Sequence, residues 1–174
     1  MRDECRQALE KYAGECESIA EIGCGDLGAS TSGRLFLELN PKQLYIVDFH
    51  KPDTDEYFAF LARERGIEYT FQQCDALDAD IPVVDLLHLD DKHTGSHVHD
   101  ELALYSGRVR KYIMIHDVDH LDVQKGVVRF LEKAPDWDIA EITGGINPYT
   151  VLRRVSGKAV ERKRWRKSPQ AQKR

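Results

Sequence analysis

No apolar run in this chain approaches the ~20 residues that a bilayer-spanning helix requires, so no membrane partner is expected. The four cysteines, Cys5, Cys16, Cys24 and Cys74, form no CxxC pair. That removes the usual zinc spacing and a disulfide framework, and it fits a reducing, cytoplasmic setting. The charged start "MRDECRQALEKYAGE" has none of the apolar stretch of a signal peptide. Internal repeats are absent, and low complexity is confined to the C-terminal end. What remains is a 174-residue chain, 41% hydrophobic and 32% charged, enough for one globular domain with a full core.

Charge is unevenly spread. From Arg153 onward ten Lys or Arg face the single acid Glu161, a charge of +9, which leaves −14 on the rest of a chain with net charge −5. The sequence divides accordingly into one domain, 1–157, and a basic tail, 158–174. A solvated, frayed terminus is the simpler reading of "ERKRWRKSPQAQKR"; binding of a nucleic acid is its rival.

Strand-like and helix-like segments alternate along the domain. A helix over 3–13 precedes the strand "SIAEIG". Strands follow at "QLYIVD", "IEYTFQQCD", "VVDLLHLD" and "KYIMIHD". Helices are expected at "STSGRLFLELN" with Ser30 or Thr31 as cap, at "TDEYFAFLARERG" ending in Gly66, at "SHVHDELALYSGRV", and at "DVQKGVVRFLEKAP" with Asp122 as cap. The closing strands "WDIAEITGG" and "YTVLRRV" leave no room for a crossover helix and predict an antiparallel hairpin. Five βα units and a hairpin predict a doubly wound α/β fold.

The densest chemical signal is "SIAEIGCGDLGAST". Three glycines, Gly23, Gly25 and Gly28, follow the first strand within six positions. Bare backbone there suits a ligand lying against the main chain, and both nicotinamide dinucleotides and S-adenosylmethionine use such a turn. Three features favour the second. Glu21 ends the first strand, where an acid suits a cationic ligand and not a pyrophosphate. No residues remain for the catalytic domain of a dehydrogenase. And Asp48, Asp75, Asp90 and Asp117 close the next four strands, converging on the crevice where open sheets bind ligands. Asp48 is placed for ribose hydroxyls, Asp75 with Ala76 for adenine, and Asp90 for the same crevice.

With these residues the chain resembles the class I S-adenosylmethionine-dependent methyltransferases. "EIGCGDLGAST" is similar to their first motif, "LYIVDFH" to the second and "QCDALD" to the adenine-contacting one; the likeness spans about residues 15–155. It implies a Rossmann-like fold with a mostly parallel seven-stranded sheet and a C-terminal antiparallel hairpin, with S-adenosylmethionine as cofactor. The segment "DLLHLDDKHTGSHVHDELALYSGRVRKYIMIHDVD" resembles a subgroup of small-molecule O-methyltransferases and cephalosporin-hydroxylase-like proteins. Carried over from metal-dependent relatives, Asp90, His116 and Asp117 become candidate ligands for Mg²⁺ or, given a nitrogen donor, Mn²⁺. A metal-free route stays open, with His93 as general base and Asp117 orienting the acceptor.

The expected acceptor is a hydroxylated small molecule such as a sugar or phenol. The rivals are a nucleic-acid methyltransferase using the basic tail and a binding protein that keeps the cofactor without turnover. With few residues before the first strand, the acceptor pocket is expected to be open or completed by a second copy of the chain. His88, inside an apolar strand, reads as a packed core histidine. His97 and His99 read as solvent-facing, Tyr149 and Trp137 as packing residues, and Lys92 and Lys125 as surface charges.

Overall fold

The computed structural model describes residues 3–25, 31–145 and 147–155. Helix α1 (Asp3–Ala13) precedes strand β1 (Ser18–Ile22); α2 (Thr31–Leu39), β2 (Gln43–Asp48), α3 (Asp55–Glu64), β3 (Glu68–Gln73) and β4 (Val84–Leu89) follow. The chain continues through α4 (Gly95–Tyr105), β5 (Val109–Ile115), α5 (Leu121–Leu131), β6 (Trp137–Ile142) and β7 (Thr150–Arg154). All seven strands form one sheet in the order β3-β2-β1-β4-β5-β7-β6. The pairs among β1 to β5 are parallel, while β7 runs antiparallel to both β5 and β6. This is the doubly wound sheet with closing hairpin that the sequence predicts.

Two apolar layers cover the sheet. Leu9, Phe36 and Phe58 bring α1, α2 and α3 onto one face; Val98, Leu102 and Val127 bring α4 and α5 onto the other. The central strands β1 and β4 are buried along their whole length, as parallel strands with two covered faces must be.

Three sequence expectations change. Between β3 and β4 the chain makes only a 3-10 turn, Ala76–Asp78, so the third βα unit lacks its helix; the ten-residue connection is too short to cross the sheet and fold a helix as well. Val109, expected within the fourth helix, opens β5. His120, not Asp122, occupies the N-cap of α5, with no side-chain bond. The cap candidate Ser30, Gly28 and the basic tail 158–174 lie outside the described residues.

At the sheet edge opposite the strand-end acids, Asp85 ties three strands together. Its buried carboxylate accepts the Glu17 N–H at 2.9 Å and the Arg110 Nε–H at 2.7 Å. Burial opposes its charge, but Arg110 and the Glu17 amide outweigh it and hold the carboxyl below its ordinary range. A depressed folded pKa adds stability that is present above the unfolded value near ~3.9 and is lost as pH falls through the folded value. Asp85→Asn is expected to cost about 2 kcal/mol at neutral pH. It should also flatten the acid limb of stability below about pH 4, read by urea melts across pH.

Candidate active site

The site begins at the exit of β1. Gly23 turns with φ +82° and Gly25 with φ +53°. A Cβ on Gly23 would strike the Asp90 carbonyl oxygen and stand 2.7 Å from the Asp91 Cα, because the exits of β1 and β4 run against each other here. Asp48 stitches the turn in place. Its Oδ2 accepts the N–H groups of Cys24 (2.9 Å) and Gly25 (3.0 Å), and its Oδ1 accepts the His50 N–H (2.9 Å).

Beside this turn lies a cleft of about 420 Å³, lined by Gly23, Asp48, Phe49, Asp75, Ala76 and Lys92 among others. That is the size range of small-molecule sites. Asp75 caps the 3-10 turn through the Leu77 N–H (3.0 Å), which draws its pKa down; burial opposes, and Lys92 Nζ, 3.3 Å away, assists. Lys92 is thus part of the cleft wall and not only a surface charge. The available signal was its position two residues after the strand-end acid Asp90. Lys125 does pair at the surface, with Asp122.

Glu21 is fully buried. Its Oε1 accepts the Ser32 hydroxyl and the His88 Nδ1–H at 3.0 Å, and Tyr149 O–H donates to His88 Nε2 at 3.1 Å. That hydrogen placement closes every role around the ring. Burial pushes the Tyr149 hydroxyl pKa up and keeps it a donor. His88 and Tyr149 are the packed residues the sequence suggests, and buried Trp137 stacks under Arg154, whose Cζ is 4.6 Å from the ring centroid. Glu21 Oε2 has no hydrogen-bond partner among the described residues.

The second half of the site gathers where β4 and β5 end. His93 Nε2 lies 2.6 Å from Asp117 Oδ2. His116 Nδ1 lies 3.0 Å from Asp90 Oδ1 and 3.3 Å from Asp117 Oδ2. The four residues named from sequence as base, orienting group and ligands are therefore one cluster. Asp117 holds φ +54°, a left-handed conformation that is costly for a residue with a side chain and often found at functional positions. Burial pulls the His116 pKa down, but Asp90 and Asp117 more than offset it, leaving it raised. The His120 ring sits 5.4 Å from that of His93, centroid to centroid.

His97 corrects the sequence reading. It is buried, not solvent-facing, with Nε2 2.9 Å from Asp91 Oδ2 and 3.6 Å from Glu101 Oε1. It falls beside the apolar stripe Val98, Leu102 and Tyr105, which helical spacing carries into the core together with Glu101. His99 is half-buried and pairs with Asp100. The thiol of Cys24 is pushed up by burial, and no cysteine is paired in a disulfide. Among the described residues no helix is long and apolar enough to cross a membrane.

Strand order, closing hairpin and a glycine turn facing strand-end acids define the class I S-adenosylmethionine-dependent methyltransferase fold. The chain is similar to a methyltransferase from Geobacter sulfurreducens, at 15% identity and TM-score 0.65 over 90% of this chain and 80% of that one. It is also similar to a candidate RNA methyltransferase from Pyrococcus horikoshii (13%, TM-score 0.64, 88% and 82%). A candidate caffeoyl-CoA O-methyltransferase from Staphylococcus aureus is similar as well (13%, TM-score 0.60, 86% and 80%). Identities this low carry the fold and leave the acceptor undetermined. No family model and no curated protein matches the chain.

Proposed function

We propose that the chain is an S-adenosylmethionine-dependent O-methyltransferase acting on a hydroxylated small molecule. The observation that carries this reading is the His93–Asp117 pair at the ends of β4 and β5, neighbours of the strand whose glycine turn walls the cleft.

The residues fit the cofactor. Glu21 Oε2 is a buried acceptor with no partner among the described residues, suited to a cationic amino group. Asp48 and Asp75 keep lone pairs for ribose hydroxyls and the adenine amino group, with Ala76 beneath the base. Bound there, S-adenosylmethionine supplies an electrophilic methyl group on a sulfonium, which leaves as a neutral thioether. Asp117 Oδ2 faces His93 Nε2 at 2.6 Å as an ion-pair partner, and Nδ1 is the nitrogen left for the acceptor. His93 Nδ1 takes the acceptor's hydroxyl proton as the oxygen forms its bond to the methyl carbon. Asp117 then faces the imidazolium and stabilises it.

Asp90, His93 and Asp117 also bring donor atoms close enough for one divalent cation, with His93 in the place expected of His116, and the nitrogen favours Mn²⁺ over Mg²⁺. Such an ion would lower the acceptor's hydroxyl pKa and orient it. The His116–Asp90 hydrogen bond and the close His93–Asp117 ion pair hold these groups against one another without one, which favours the metal-free base. The acidic body works against a polyanionic acceptor, while the basic tail favours one; salt-sensitive RNA binding lost on deleting 158–174 would move the assignment there.

The test is calorimetric titration of S-adenosylhomocysteine, followed by transfer of labelled methyl to a panel of sugars and phenols. Micromolar binding is expected, weakened about tenfold or more in Asp48→Asn, where a charge-assisted acceptor is lost. Absence of binding would overturn the reading; binding without transfer to any hydroxyl would mark a non-catalytic cofactor-binding protein.

A further inference from the structure

We propose that Asp91, His97 and Glu101 form a binding site for a divalent transition-metal ion that fixes the β4–α4 connection beside the cleft. The site shares no residue with the His93–Asp117 cluster and goes beyond the methyltransferase reading.

The starting point is an unsatisfied group. Glu101 is 1% exposed, yet its Oε1 has no hydrogen-bond partner among the described residues. It points toward His97 Nε2 at 3.6 Å, too far for a hydrogen bond, while the same nitrogen meets Asp91 Oδ2 at 2.9 Å. One imidazole nitrogen carries at most one hydrogen, so two carboxylates converge on a single donor and one goes without. A buried carboxylate oxygen in that position calls for an ion or an ordered water.

The geometry admits the ion. His97 Nε2 and one oxygen each from Asp91 and Glu101 all lie within 4.8 Å of one another. Ligands to Zn²⁺ stand at roughly 2.0–2.2 Å from the metal, so three donors on one ion sit about 3–4 Å apart. His97 and Glu101 are four residues apart on α4 and face the same way. Asp91 enters from the loop after β4. One nitrogen with two carboxylates suits Zn²⁺, Mn²⁺ or Co²⁺ better than Mg²⁺ or Ca²⁺.

The position gives the site a consequence. Asp91 lines the cleft, and its Cα abuts the Gly23 turn. An ion joining Asp91 to α4 would hold that wall of the cofactor pocket against the glycine turn.

The full-length protein, stripped with chelator, is titrated with Zn²⁺ alone by calorimetry, and with Co²⁺ by visible absorption. Zn²⁺ binding should weaken about 100-fold or more in His97→Ala and in Glu101→Gln, and stay unchanged in His93→Ala. If His97→Ala fails to fold, Asp91→Asn, at a half-buried loop position, carries the same expectation. A second ion lost only in His93→Ala leaves the proposal standing, provided the first is lost in His97→Ala. No Zn²⁺ bound, or affinity unchanged in both Asp91→Asn and Glu101→Gln, would overturn it. The cofactor titration is done separately without metal, so failure of one assignment is distinguishable from failure of the other.

Discussion

Gly23→Ala is expected to cost the protein about 3 kcal/mol, the sum of left-handed backbone strain and overpacking. For a domain of this size that lowers Tm by roughly 10 °C. The added methyl has nowhere to go: it meets the carbonyl of Asp90 and the Cα of Asp91, both main-chain atoms in a loop pinned by the Asp90 N–H to Ile22 O bond at 2.9 Å. Gly25→Ala is the matched control. It shares a positive φ, but its Cβ would find no atom within 4 Å, so only the strain of about 1 kcal/mol remains. Thermal melts of the two variants separate the terms. Equal melting temperatures would show that the β1 and β4 exits are not in contact. It follows that bulk at Gly23 reports on the fold as much as on the ligand.

His93→Ala is expected to lower kcat by about 10²–10⁴, the usual worth of a positioned general base. S-adenosylhomocysteine affinity should be unchanged, since His93 does not line the cleft. Asp117→Ala should lose a similar factor, because the imidazolium formed on His93 then lacks the carboxylate that faces it at 2.6 Å. The double variant should be little worse than either single one, as expected of groups acting as a unit. Additive losses, or full activity in His93→Ala, would remove the pair from the mechanism. Steady-state kinetics with the acceptor found in the transfer panel decides between them.

Much of this site was legible in one dimension because an open parallel sheet sends every strand's carboxyl end to the same edge. Acids at the ends of four successive strands therefore had to converge, and Asp48, Asp75, Asp90 and Asp117 do line that edge. The antiparallel hairpin was legible because β6 and β7 are joined by too few residues for a crossover. The connection between β3 and β4 was less so: alternation suggests a helix in every crossover, and only chain length against sheet width reduces it to the turn at Ala76–Asp78.

Side-chain pairing was not legible. Period-two alternation puts Glu21 and His88 on one face of the sheet but does not say that adjacent strands in register join them. Helical spacing puts His97 and Glu101 on one side of α4 but does not say that this side is buried, or that Asp91 meets it from a loop. Lys92 looked free because its partner, Asp75, is seventeen residues away. By itself, then, the sequence determined the sheet, the glycine turn and the edge where the strand-end acids gather, because local propensity and strand polarity are properties of short segments. The tertiary structure alone decided which acids are held by protein donors and which stay open to a ligand, because hydrogen bonds between loops depend on packing distances that spacing along the chain does not encode.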